Sequence, residues 1–148
     1  MNIVKATAAH LPQLVPLFDS YRQFYQQPSD PAGATAFLRQ RLTDNESVVF
    51  LALDDSIPLG FAQLYPSFSS VSMKRLWILN DLYVSVRARK QGVATALIKQ
   101  CAILGGETSA KGLVLETASD NLPAQHLYEK LGWTKERAFD RYFIDFSQ

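Results

Sequence analysis

The sequence predicts one α/β domain, a mixed sheet covered by helices, and three observations predict it. Segments that alternate every second residue interleave with segments of helical spacing in the order β, α, α, three β, α, β, α, two β. The stretch Leu76 to Val86 is apolar on both alternations, as a central strand buried on both faces must be. At 148 residues, 47% of them hydrophobic, the chain has the size of one domain around one substantial core.

Each element has its own reason. Asn2 to Ala6 reads as a short strand, and Thr7 is placed to cap a helix whose stripe is Leu11, Leu14, Val15, Phe18, Tyr21 and Tyr25. After the proline-containing break Gln27 to Pro31, Ala34 to Leu42 forms a second helix that ends near Thr43 to Glu46. Ser47 to Leu53 and Leu59 to Tyr65, joined by Asp54-Asp55-Ser56, make a hairpin. In the central strand Leu76, Ile78, Leu82 and Val84 fall on one alternation, with Trp77, Leu79 and Tyr83 on the other. From Gly92, the residues Val93, Ala94, Leu97, Ile98, Cys101 and Ala102 mark an amphipathic helix that Gly105-Gly106 terminates. Leu113 to Glu116 is a buried strand. Asn121 to Leu131 is a short helix with Pro123 in its first turn and Gly132 at its end. Trp133 to Glu136 and Ala138 to Phe146 close the chain as strands.

Composition excludes several functions. Fifteen Lys and Arg against fourteen Asp and Glu give a net charge of +1, and the basic residues are scattered, so neither a nucleic acid nor a membrane partner is expected. A single cysteine, Cys101, and a start without an apolar or Arg/Ser-rich leader point to a reduced, cytoplasmic protein. No apolar run approaches the roughly 18 residues of a membrane span. Two histidines and one cysteine, widely separated, do not make a metal site: His10 belongs to the first turn of its helix, His126 to a surface, and Cys101 to packing.

Between the central strand and its helix stands Arg87-Ala-Arg-Lys-Gln-Gly-Val-Ala-Thr95, with Arg89, Gly92 and Ala94 at R-x-x-G-x-A spacing. A strand-to-helix turn with small residues lets the backbone approach a ligand, and the first amides of the helix point outward, so a pyrophosphate fits. Arg89 and Lys90 add positive charge and Thr95 a hydroxyl. The same spacing also suits a plain tight turn. A dinucleotide fingerprint is excluded because G-x-G-x-x-G is missing, and a serine hydrolase because G-x-S-x-G is missing.

Further along comes Asn121-Leu-Pro-Ala-Gln-His-Leu-Tyr-Glu-Lys-Leu-Gly-Trp133. With R-x-x-G-x-A before it, the spacing N-x-x-A-x-x-L-Y-x-x-x-G-aromatic resembles the GNAT acyltransferase superfamily over about Leu76 to Trp133. Asp81-Leu-Tyr-Val is also similar to a subgroup with polyamine acetyltransferases and yeast histone and polyamine acetyltransferases. The resemblance implies a mostly antiparallel sheet of seven strands with about four helices and splayed central strands. It also implies an N-acetyltransferase that uses acetyl-CoA as co-substrate, without a metal. Main-chain groups of Leu82, Tyr83 and Val84 would pair with the pantetheine arm, and amides of Gln91, Gly92, Val93, Ala94 and Thr95 would hold the pyrophosphate. Asn121 and Ala124 would line the far side of the pantetheine channel.

The resemblance makes Tyr128 the general acid for the departing thiolate, a role suited to a phenol of comparable basicity. The alternative is that Tyr128 only continues the apolar face of Leu127 and Leu131. The acceptor amine must lose a proton before it attacks the thioester. Asp81, a carboxylate in an otherwise buried strand, is placed to take that proton or to bind the ammonium. In polyamine-type relatives the preceding residue is commonly glutamate, whereas this chain has Asn80, which cannot act as a base. Glu116 and a water chain are the other candidates. Asp81 with Tyr21, Tyr25 and Tyr83 suggests a pocket for a cationic amine on a small molecule or peptide.

Two other classes stay open at this point: a non-catalytic acyl-CoA binding module and a generic interaction domain. The aromatic stretch Ala138 to Phe146 is too apolar for an exposed sheet edge, so it packs either within its own subunit or across a homodimer.

Overall fold

The computed structural model describes residues 1–147. Its sheet has the strands β1 (Asn2–Lys5), β2 (Val48–Asp54), β3 (Ile57–Ser69), β4 (Lys74–Val84) and β5 (Gly112–Val114), in spatial order β1-β2-β3-β4-β5. The first three pairings are antiparallel, and β4 pairs with β5 in parallel, which requires the crossover that a helix supplies. The helices are α1 (Leu11–Phe24), α2 (Pro31–Thr43), α3 (Val93–Glu107) and α4 (Leu122–Lys130). By density of contacts, Met1–Glu116 forms one compact unit and a second begins at Thr117. Among the described residues no helix is long and apolar enough to cross a membrane.

In the first unit α1 and α2 cover one face of the sheet. Leu11, Leu14, Leu17 and Phe18 of α1 and Ala34 and Leu38 of α2 pack on Val49 and Leu51 of β2 and Phe61 of β3. Leu14, Leu38 and Phe61 are fully buried, each worth roughly 1.5–3 kcal/mol relative to exposure. The α1 stripe is shifted from the expected one. Leu17 joins it, whereas Tyr25 lies past the last turn and is exposed. Thr7 does cap, but through a short 3-10 turn at Ala8–His10, with its own amide donating to His10 Nδ1 at 2.9 Å. The loop before α2 is held by Asp19 of α1, which accepts from Ser29 Oγ at 2.7 Å and from the Asp30 amide at 2.8 Å. Asp30 then caps α2 through the Gly33 amide.

The helix α3 runs through Gly105 and Gly106 instead of ending there. A methyl group on Gly105 would meet Leu113 Cδ1 at 2.8 Å, so this glycine lets α3 lie close to β5. The helix ends where Ser109 takes a left-handed backbone and the Ala110 amide donates to the Gly105 carbonyl at 3.0 Å. On β3, a methyl on Gly60 would stand 2.7 Å from the Tyr83 carbonyl oxygen, so only glycine allows β3 and β4 to approach at that point.

In the second unit Asn121 caps α4, its side chain accepting from the Ala124 amide at 3.3 Å, and Gly132 ends it at φ +96°. Five strands are present among the described residues, not seven. The strands expected over Trp133–Glu136 and Ala138–Phe146 are not formed there. Their apolar alternation supplies side chains for a sheet face, yet a strand also needs a neighbour for its main-chain ladder.

Candidate active site

The strand β4 outruns its parallel neighbour. The β4–β5 ladder covers Leu76–Ile78, opposite Gly112–Val114, and from Leu79 to Val84 the strand is paired only with β3. Leu82, Tyr83 and Val84, opposite Ala62, Phe61 and Gly60, therefore lie where the sheet has opened on its other side. A 3-10 turn at Val86–Ala88 and a left-handed Lys90 carry the chain to α3. Gly92 is the N-cap at φ +81°, no side chain caps the helix, and nothing lies within 4 Å of where a Gly92 side chain would begin. That open space, bordered by the uncapped amides that start α3 and by exposed Lys90, fits a pyrophosphate.

Arg89 has a different posture from the one its motif suggests. Its Nε donates to the Val84 carbonyl at 3.2 Å, and its guanidinium lies 5.8 Å from the Tyr83 ring centroid. Gln91 closes the turn by donating from Nε2 to the Arg87 carbonyl at 3.2 Å.

The register of β3 against β4 slips at one place. Gln63 stands opposite Asp81 and Leu64 opposite Leu79, which leaves Asn80 without an opposite residue, a β-bulge. Opposed residues share a sheet face, so the bulge reverses the alternation of the strand. Leu76, Ile78, Asp81 and Tyr83 share the face of α1 and α2, and Trp77, Leu79, Leu82 and Val84 share the other. This corrects the uninterrupted alternation expected from the sequence. Trp77 confirms the second face through its Nε1, which donates to Thr108 Oγ1 just past α3 at 2.9 Å.

The bulge brings Asp81 among aromatic rings. Tyr21 of α1 sits edge-on to Phe61 at 5.7 Å, to Tyr83 at 6.0 Å and to Tyr25 at 5.2 Å between centroids. The Tyr21 hydroxyl makes a long contact of 3.4 Å with the Asn80 carbonyl and also reaches the Asp81 carboxylate. Asp81 is only 4% exposed. Its Oδ2 accepts from Gln63 Nε2 at 2.5 Å and its Oδ1 from Asn80 Nδ2 at 2.9 Å. Burial pushes the Asp81 pKa above the ordinary carboxylate range, and the Gln63, Asn80 and Tyr21 donors pull back against it. Burial and the nearby Asp81 charge raise the Tyr21 phenol, and likewise Tyr65, to about 12 for the latter.

The first unit thus gathers Tyr21, Tyr25, Asn80, Asp81 and Tyr83. Glu116 is exposed and lies past the end of β5, which stops at Val114, so it is not on the strand where the sequence placed it. In the second unit Tyr128 is half-buried on α4, its ring 6.0 Å from that of Trp133, and the Trp133 amide donates to the Tyr128 carbonyl. Cys101 is fully buried on α3, where burial lifts its thiol to about 12 and leaves it unreactive. Three residues of the cluster escaped the sequence reading: Gln63, Ser47 and Tyr65. A glutamine inside the apolar run of β3 was the available signal, since a buried amide requires partners.

The profile of the acetyltransferase (GNAT) family matches residues 14–133. The chain is 43% identical over 145 residues to a protein described as uncharacterized N-acetyltransferase YhfO of Bacillus subtilis (strain 168), covering 98% of this chain and 97% of that one. A crystal structure of a probable acetyltransferase superposes with a TM-score of 0.95 at 46% identity, over 100% of this chain and 99% of that one. The same fold occurs at 19% identity in the aminoglycoside N-acetyltransferase AAC(6')-Iy in complex with CoA, with a TM-score of 0.80 over 97% and 93% of the two chains. The polar start of α3, the opened edge of β4 and these likenesses agree: the chain belongs to the GNAT family and is an acetyltransferase.

Proposed function

We propose that this enzyme transfers an acetyl group from acetyl-CoA to a primary amine by direct attack, with no acyl-enzyme intermediate. The observation that carries the reading is the conjunction, within one unit, of an uncapped helix start at Gly92 and a buried carboxylate at Asp81 ringed by tyrosines. The amides of Gln91 to Thr95 hold the pyrophosphate, with Lys90 adding charge, and the main chain of Leu82 to Val84 pairs with the pantetheine arm. Asn121 and Ala124 are assigned to the same arm by their place in the motif. Acetyl-CoA supplies the activated acyl group; the residues of the chain bind, orient and move protons.

Asp81 takes the proton of the incoming ammonium, and Tyr128 returns one to the thiolate. The first role is supported by the burial of Asp81, which makes it a stronger base than an exposed carboxylate. The second is supported by the motif around Tyr128 and by the matched basicity of phenol and thiol. Tyr21, Tyr25 and Tyr83 favour a cationic acceptor. Glu116, exposed past β5, is the weaker candidate for the base. Asn80, at the position that carries glutamate in polyamine-type relatives, spends its amide on Asp81, which does not favour a polyamine over other amines.

Release of free thiol from acetyl-CoA, followed across polyamines, amino acids, aminoglycosides and lysine peptides, tests the reading. Turnover with at least one primary amine is expected; acetyl-CoA binding without turnover on any of them would make the chain a binding module instead. We further propose a homodimer that covers Phe139, Tyr142, Phe143, Ile144 and Phe146, all of which are largely exposed in a single chain.

A further inference from the structure

Behind Asp81 lies a pair of polar side chains that the proposed chemistry has not used. Gln63 is 0% exposed and Ser47, just before β2, is 6% exposed. Ser47 Oγ donates to Gln63 Oε1 at 2.8 Å, and Gln63 Nε2 donates to Asp81 Oδ2. Buried amides are costly, so three polar groups in a row on a sheet face that also carries the buried Phe61 and Leu51 need a reason.

We propose that Gln63, braced by Ser47, is the positioning residue that fixes the Asp81 carboxyl and allows it to take up and release a proton while buried. The inference rests on the reading of Asp81 as the group that receives the acceptor's proton. With Asp81 ionised, the observed arrangement satisfies every atom: the serine hydroxyl donates to the amide oxygen, and the amide nitrogen donates to the carboxylate. When an ammonium gives up its proton, an N–H bond breaks and an O–H bond forms on Asp81. The neutral amine then holds the lone pair that attacks the acetyl carbonyl. Half a turn of the Gln63 amide now lets Oε1 accept from the new carboxyl hydroxyl at Oδ2, while Nε2 donates to Ser47 Oγ. In both states the Asp81–Gln63 and Gln63–Ser47 contacts each pair one donor with one acceptor, and in the second the Ser47 hydroxyl hydrogen turns away from Gln63. The proton leaves to water when the next cycle begins. A glutamate at 63 would compete with Asp81 for one proton, and a leucine would take a donor away from Oδ2.

The groups that face Asp81 from the surrounding elements are few. Tyr21 comes from α1 and Tyr65 from β3; Asn80 is its neighbour on β4; and Arg41 of α2 acts on Tyr65. Among them Gln63 alone joins the carboxyl to a second buried side chain that can reverse its own donor and acceptor roles.

The test is a carbon NMR titration of the Asp81 side-chain carboxyl in the full chain, without acceptor, for wild type, Gln63→Met and the double variant Ser47→Ala/Gln63→Met. The double variant removes both polar partners together, which preserves packing even where the single one leaves the Ser47 hydroxyl stranded. Loss of one hydrogen bond to the charged form is expected to raise the Asp81 midpoint by about one to two pH units. The acid limb of kcat/KM with the best amine of the panel should move up with it. A midpoint within about 0.3 pH units of wild type in a folded variant would overturn the proposal. So would an activity loss without movement of the limb, which is what a merely structural role gives. Full turnover in Asp81→Asn would instead overturn the reading of Asp81, while leaving the effect of Gln63 on its titration in place.

Discussion

Asp81 and Tyr83 stand on the same face of β4, opposite Gln63 and Phe61, because the strand bulges at Asn80. Without the bulge, the pleat would put Asp81 on the side of Ile78's opposite neighbours, facing α3, and away from Tyr21. One extra residue in a ladder thus decides which helix layer the only carboxylate of the strand meets.

Replacing that carboxylate is the first prediction. Asp81→Asn is expected to lower kcat/KM about 100- to 10,000-fold, the range of general-base catalysis, with acetyl-CoA affinity unchanged. The Asp81 pKa is raised and the base must be ionised, so wild-type kcat/KM should fall as pH drops through a value above the ordinary carboxylate range. A variant with wild-type kcat/KM would remove Asp81 from the reaction.

The cradle makes a separate prediction, read by calorimetry. Ala94→Trp should fill the space before α3 and weaken acetyl-CoA binding at least about tenfold. Gly92→Trp should do so as well, with an added loss of stability of about 1 kcal/mol because Gly92 is at positive φ. Unchanged affinity in folded Ala94→Trp would contradict the assignment.

Tyr128→Phe is expected to reduce kcat roughly 10- to 1000-fold and to leave cofactor affinity nearly intact. Stopped-flow turnover at wild-type rate would reduce Tyr128 to a packing residue of α4.

Sequence reading recovered much of the first unit and little of the end of the chain. The helices and the two long hairpin strands follow from periodicity, since Leu14, Leu38, Leu51 and Phe61 are repeated contacts with one core. The Gly92 turn was legible because a left-handed N-cap leaves a glycine in the sequence. The bulge at Asn80 was not: a strand that is apolar on both alternations shows no break in its pattern to mark an inserted residue. Gln63 and Ser47 were missed for a related reason, as their partners come from other strands. Phe139 to Phe146 alternate like a strand, but a strand requires an edge to pair with, which its own residues do not specify.

The buried carboxylate outside the site gives a pH prediction. Ser29 and the Asp30 amide hold the Asp19 carboxyl below its ordinary range. A depressed folded pKa means stability that is present above the unfolded value and lost as pH falls through the folded one. Asp19→Asn should therefore lower the melting temperature at neutral pH and differ less from wild type in acid, below the usual carboxylate range. Equal differences at both pH values in thermal melts would show that its charge has no role.

For assembly, light scattering at micromolar concentration is expected to give twice the 16.6 kDa of one chain, and a chain lacking residues 138–148 should be monomeric. A monomer of the full chain would reject the dimer, and a dimer that survives the deletion would reject its route.

The central claim is transfer of acetyl from acetyl-CoA to an amine without a covalent enzyme intermediate. It is tested most directly by mass spectrometry of the acceptor and of the protein after reaction with acetyl-CoA labelled in its acetyl group. The account predicts label on the amine nitrogen in a one-to-one ratio with released thiol, and none on the chain. Label on a residue of the chain that is then passed to the amine, or thiol release with no labelled amine, would contradict it.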